Sequence, residues 1–151
     1  MTHRIFRSIL FAATAVMLLA LAVIFGVMYE YSSGIQKRQL SDELGLAASA
    51  VTMSGRGYLE SLGQSDSRLT WIASDGSVIY DTKSDSGSLE NHSDREEFKE
   101  AIETGYGECS RYSSTLTETT DYIAKKLEDG SVLRISESRA SVLALALGML
   151  H

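Results

Sequence analysis

Two arginines, Arg95 and Arg111, carry the most specific chemistry in this sequence. A guanidinium donates paired hydrogen bonds to planar oxyanions and so can hold a carboxylate or a phosphate. Tyr80, Asp81, His92 and Tyr112 complete a candidate ligand-binding set around them. Tyr80, Tyr112 and Tyr122 alternate onto sheet faces and can line one pocket, and His92, between Asn91 and Ser93, can touch a ligand or titrate near neutrality. Each also has a plainer reading: core tyrosines, arginines paired with neighbouring acids, and an Asn91-His92 loop that leads into a capping Ser93. In a strand, Arg111 shares a face with Cys109 and needs a partner there, either a ligand or an internal acid such as Asp81.

Other chemistries find less support. Asp75, Asp81, Asp85 and Glu90 are dense enough to suggest a cation, but their spacing does not match the twelve-residue calcium loop, and turn-forming aspartates account for them. Cys109 is the only cysteine, which excludes an internal disulfide and a cysteine-based zinc site. His3, His92 and His151 lie too far apart to expect a histidine metal site, so no metal or other cofactor is expected. No Ser-His-Asp order, metalloprotease helix or phosphate-binding loop occurs, and an enzymatic reading has no constellation to rest on.

These residues belong to an acidic segment. All 20 acidic residues lie from Glu30 onward, against 12 of the 14 basic ones, an excess of eight negative charges. Nucleic acid is therefore excluded as a partner, since phosphate binding needs clustered Lys and Arg.

Ahead of this segment, Ser8 to Tyr29 holds 22 residues without a charge, roughly 33 Å as a helix and enough to cross a bilayer. A cleaved signal peptide would have a shorter apolar region and a small-x-small site, which VIFGVMYEYSS lacks. Arg4 and Arg7 precede the run and Glu30 comes directly after it, which places residues 1–7 in the cytoplasm and residues 30–140 outside it. Ser141 to Leu150 is apolar but only ten residues long. It reads as the start of a second crossing, over residues 141–151, or else as an element folded into the domain.

The elements that must position the candidate residues follow from periodicity. Ile35, Leu40, Leu44, Ala47, Val51, Tyr58 and Leu62 recur mostly in steps of three and four, which predicts an amphipathic helix continuing from the membrane run and loosened at Gly55 and Gly57. Its apolar seam also suits a homodimer. Strands are expected over Arg68–Ser74 and Ser77–Thr82, turning at Asp75-Gly76, and over Gly107–Ser113, Thr120–Leu127 and Ser131–Glu137, the last pair turning at Asp129-Gly130. Between them a helix over Asp94–Thr104 is predicted, with Ser93 and Glu96 as a capping box, Phe98, Ala101 and Ile102 as its apolar stripe, and Gly105 as its end. The expected class is α+β: an antiparallel five-stranded sheet with helices on one face.

The stretches DGSVIYDT (Asp75 to Thr82), ENHSDREEFKEAIETGYG (Glu90 to Gly107), SRYSSTL (Ser110 to Leu116) and DGSVLRIS (Asp129 to Ser136) together resemble the extracytoplasmic PAS-like sensor domain, of the PDC or single-Cache kind, found in sensor histidine kinases of Gram-positive bacteria. The family usually has a proline after the arginine of the ENHxxR segment, where this chain has Glu96. The resemblance implies a long N-terminal helix on a five-stranded sheet, preceded by a transmembrane helix. It also implies a signal-input role, with a small ligand or an envelope protein as stimulus. Kinase activity, ATP, magnesium and a response regulator would belong to a cytoplasmic part outside these residues. The input region of a chemoreceptor or diguanylate cyclase, or an anchored docking protein without signalling output, are the alternatives.

Overall fold

The computed structural model describes residues 2–62, 67–113 and 118–140, and the chain divides into two compact units, residues 1–38 and 39–151. Helix α1 runs Thr2–Ser54 and contributes to both. In the first unit its large apolar side chains, from Ile5 to Tyr31, are exposed. By length and composition it is the one helix among the described residues able to cross a membrane. The run from Ser141 lies outside the described residues.

In the second unit α1 continues to Ser54, and Gly55 separates it from a short helix α2, Arg56–Ser61, in agreement with the loosening expected there. Five strands come next: β1 Arg68–Ile72, β2 Val78–Asp81, β3 Tyr106–Ser113, β4 Glu118–Lys126 and β5 Val132–Ala140, with helix α3, Glu96–Thr104, between β2 and β3. All neighbouring strands are antiparallel, in the order β2-β1-β5-β4-β3. The five expected strands are all present. At the Asp-Gly turns the strands stop a residue or two short, because these turns are wider than two residues: Ala73 N donates to Ser77 O and Leu127 N to Ser131 O. At their other ends β4 and β5 run further than expected, to Glu118 and Ala140.

The two turns are built alike. In each, one aspartate oxygen accepts from both the backbone and the hydroxyl of the serine two residues on, at 2.9 and 2.6 Å for Asp75 with Ser77 and for Asp129 with Ser131. Gly76 and Gly130 take φ of 86° and 84° between them, a conformation that favours glycine.

Two cores lie on opposite faces of the sheet. Leu40, Leu44, Ala47, Ala48 and Val51 of α1, with Leu59 of α2, pack against Leu69, Ile123, Leu133 and Ile135. Phe98 and Ala101 of α3, with Ile102 beside them, pack against Ile72, Ala124 and Val132. The strand residues of the two sets differ in parity, and period-two alternation sends them to opposite sides. The expectation of helices on one face is therefore corrected: α1 covers one face and α3 the other.

The start of α3 also differs from the expected capping box. Its N-cap is Arg95, in extended conformation and without a side-chain cap, and the helix begins at Glu96. Asn91, His92 and Ser93 are instead tied down. Asn91 Nδ2 donates to Asp75 O at 3.0 Å, His92 N to Gly76 O at 2.7 Å and Ser93 N to Asn91 Oδ1 at 2.8 Å, which clamps the loop to the β1–β2 turn. At the other end Gly105 caps α3 in the left-handed conformation, as expected. Gly107 of β3 passes so close that a Cβ there would run into the Glu97 carbonyl and come within 2.9 Å of Ala101 N.

Candidate functional site

The α3 face of the sheet is apolar only at one end. Further along the same face, register stacks Thr70 beside Arg134, Arg68 beside Ser136, Tyr122 beside Ser136 and Cys109, and Arg111 beside Thr120. A row of polar side chains results, with α3 lying over part of it.

Glu97 of α3 is its centre. The residue is 0% exposed, and a buried carboxylate requires charged partners. It has two: Oε1 accepts from Arg134 Nη1 at 3.1 Å, and Oε2 accepts from Arg111 Nη2 in a very short contact. Both guanidiniums also lie over the Tyr122 ring, with Cζ at 4.5 Å from its centroid for Arg111 and 5.3 Å for Arg134. Arg134 is only 4% exposed. Burial pulls its guanidinium below the usual arginine range, against the opposing charge of Glu97.

A second pair adjoins the first. Arg68 Nε donates to both Asp81 oxygens, at 3.0 and 2.9 Å, and its Nη2 reaches Ser84 Oγ at 3.2 Å. Asp81 also accepts from Thr70 Oγ1 at 2.8 Å and from the Lys83 and Ser84 backbone amides, each at 2.9 Å. Thr70 Oγ1 in turn accepts from Arg134 Nη2 at 3.2 Å, so the two ion pairs form one network. Within it Arg134 Nε has no hydrogen-bond partner, and neither does Nδ1 of the neighbouring His92. His92 is 5% exposed. Burial first, then the charges of Arg134 and Arg95, push its imidazole down to about 4 and leave it neutral at pH 7.

Beside this network an open groove of about 370 Å3 is lined by Arg68, Lys83, Thr120, Tyr122, Ser136, Glu137 and Ser138. Thr120 Oγ1 and Ser138 Oγ are hydrogen-bonded across it at 2.9 Å. Within the network three arginines, Arg68, Arg111 and Arg134, meet two carboxylates, Asp81 and Glu97, an excess of one positive charge beside the groove. In a segment with excess negative charge, that local excess favours an anion.

The candidate residues distribute unevenly over this arrangement. Asp81 and Arg111 are in the network, His92 is buried beside it, and Arg95 stands at its margin as the α3 N-cap. Tyr80 lies on the other face, against the α1 core, with the Arg56 guanidinium 4.9 Å from its ring centroid. Tyr112, next to Arg111 in the strand and thus of opposite parity, is 62% exposed. The acid that meets Arg111 is Glu97, not Asp81, because Asp81 is taken by Arg68.

Arg68, Thr70, Glu97 and Arg134 did not stand out in the sequence, although two carried a signal. Arg134 sits inside the apolar strand VLRIS, and Glu97 borders the Phe98-Ala101 stripe on its helix. A charged residue in either place requires a buried partner.

The arrangement is suited to binding. The Cys109 thiol donates to Glu96 Oε2 at 3.1 Å, and burial together with that bond pushes its pKa up, which disfavours the nucleophilic thiolate. Compared with known proteins, the chain matches no family model, no curated protein and no solved structure.

Proposed function

We propose that this chain is the signal-input region of a membrane-bound sensor histidine kinase. Residues 8–29 cross the membrane, and a PAS-like domain outside the cytoplasm binds a small anion in the groove beside Arg68. The observation that carries the binding role is the positive excess around that groove within an otherwise acidic segment. The long apolar α1 supports an anchor, and the five-stranded antiparallel sheet with a long N-terminal helix agrees with the architecture that the resemblance implies. Occupancy acts by population shift: an anion drawing on Arg68 competes with Asp81 and, through Thr70 and Arg134, biases how Glu97 of α3 is held to the sheet. The membrane and a second copy of the chain are its partners. ATP, magnesium and a response regulator belong to the kinase part of such a protein.

The test is calorimetric titration of the full chain in nanodiscs with inorganic phosphate and with succinate. Saturable binding of at least one of them is expected, weakened by salt and lost in Ser138→Leu, which fills the groove without touching an ion pair. A folded protein that binds neither would overturn the anion-sensing role. Labelling of Cys109 by an impermeant maleimide in intact cells, after mild unfolding, tests the orientation, and labelling only after lysis would reverse it.

A further inference from the structure

A second cavity lies on the opposite, α1 side of the sheet, and the anion-sensing reading does not use it. About 350 Å3 in volume, it opens beside Gly55 where α1 ends, between Val51 and Thr52 of the helix, Trp71 of β1, and Leu127, Glu128 and Asp129 at the β4–β5 turn.

Three features give it one sign of potential. Asp129 is held ionised, its carboxyl kept below the usual carboxylate range by the Ser131 hydroxyl and backbone amide. Glu128 adds a second carboxylate. The C-terminal end of α1 adds the negative pole of the helix, with no basic residue in its last turn to neutralise it. The Trp71 Nε1 is already donated to Ser131 Oγ at 2.9 Å, so what the indole has left to offer is its π-surface. Val51 and Leu127 supply apolar wall.

Carboxylates, a helix C-terminus, an indole and aliphatic surface together recognise a cation with an apolar body. We infer that this cavity binds a small organic cation, a primary ammonium or guanidinium on a short aliphatic chain. Its head lies toward Glu128, Asp129 and the end of α1, and its chain against Val51, Leu127 and Trp71.

Trp71 is the only tryptophan, so its emission in the full chain in nanodiscs reads this cavity directly. The probes are n-butylammonium and butylguanidinium, with n-butanol and butyrate as neutral and anionic counterparts. Both cations should shift the emission saturably, butanol about ten-fold more weakly, and butyrate not at all. Glu128→Gln should weaken cation binding about three-fold, and further loss is expected with added salt or with Asp129→Asn, its folding checked by melting temperature. Butanol binding as tightly as the cations, no saturable response, or a folded Glu128→Gln/Asp129→Asn protein with unchanged affinity would each overturn the inference. The response should persist in Ser138→Leu; its loss there would mean that the emission reports the anion groove, which also overturns it.

Discussion

Replacing Glu97 by glutamine removes one charge and almost no volume, at the one carboxylate that holds both Arg111 and Arg134. The amide keeps an oxygen to accept a hydrogen bond but turns an NH2 toward a guanidinium. With Arg134 only 4% exposed, its charge is left buried and unpaired, a loss that typically costs about 3–5 kcal/mol. The Arg111 side chain is 32% exposed, so its share is discounted to the surface-pair value of about 1 kcal/mol or less. We expect a total near 4 kcal/mol, a large part of the roughly 5–15 kcal/mol that holds a domain folded. In a domain of about 100 residues that lowers Tm by about 16 °C or more. Trp71 emission during urea or thermal unfolding of the full chain in micelles is the assay, because the long apolar run of α1 would dominate a helical signal. Glu97→Gln/Arg134→Met should recover much of the loss, and the coupling in that cycle measures the pair. A Glu97→Gln loss below about 1 kcal/mol would refute the argument, since it would mean that Arg134 finds solvent or another partner despite its burial. The same variant enlarges the positive excess, so phosphate or succinate should bind more tightly to the folded fraction.

Two further outcomes rest on individual residues. His92 is held down to about 4 in the folded chain and titrates near 6.5 when unfolded, so between these values the unfolded chain binds the extra proton. Its contribution to stability is complete above about pH 6.5 and is lost as pH falls to about 4, by roughly 3 kcal/mol at most. His92→Gln should flatten that limb of the stability profile, and an unchanged limb would assign it to other groups. Asp75 and Asp129, held below the ordinary carboxylate value, lose their contributions only at lower pH. Gly107→Ala forces a methyl into the α3 backbone at Glu97 and Ala101. It should cost about 3 kcal/mol or more, and a variant melting within a few degrees of the parent would show that β3 and α3 can separate freely.

Much of the second unit is legible in local pattern. The steps from Leu40 to Val51 describe a helix with one buried face, and that face is the one that meets the sheet. Both Asp-Gly pairs mark turns, and the β-branched and aromatic runs between polar loops mark all five strands, because these signals depend on a few neighbouring residues. The capping box failed for a tertiary reason: the loop through Ser93 is bound to a turn some sixteen residues earlier in the chain, and Asn91 takes the Ser93 amide.

The site was legible only in pieces. Alternation established that Arg111 shares a face with Cys109, yet it could not say which acid stands opposite, because parity within one strand is silent about the order of strands. That order brings β1 beside β5 and pairs Thr70 with Arg134, 64 residues apart, while α3 lowers Glu97 between two arginines from different strands. Alternation within β2 puts Tyr80 on the face opposite Asp81 and separates two residues adjacent in the sequence. Residue types and spacing alone determined the apolar helix, the acidic character of the chain beyond it, the turns and the two-residue rhythm of the strands. Tertiary structure alone decided which charges meet, since a buried ion pair requires partners from distant segments, brought together by packing that no local window contains.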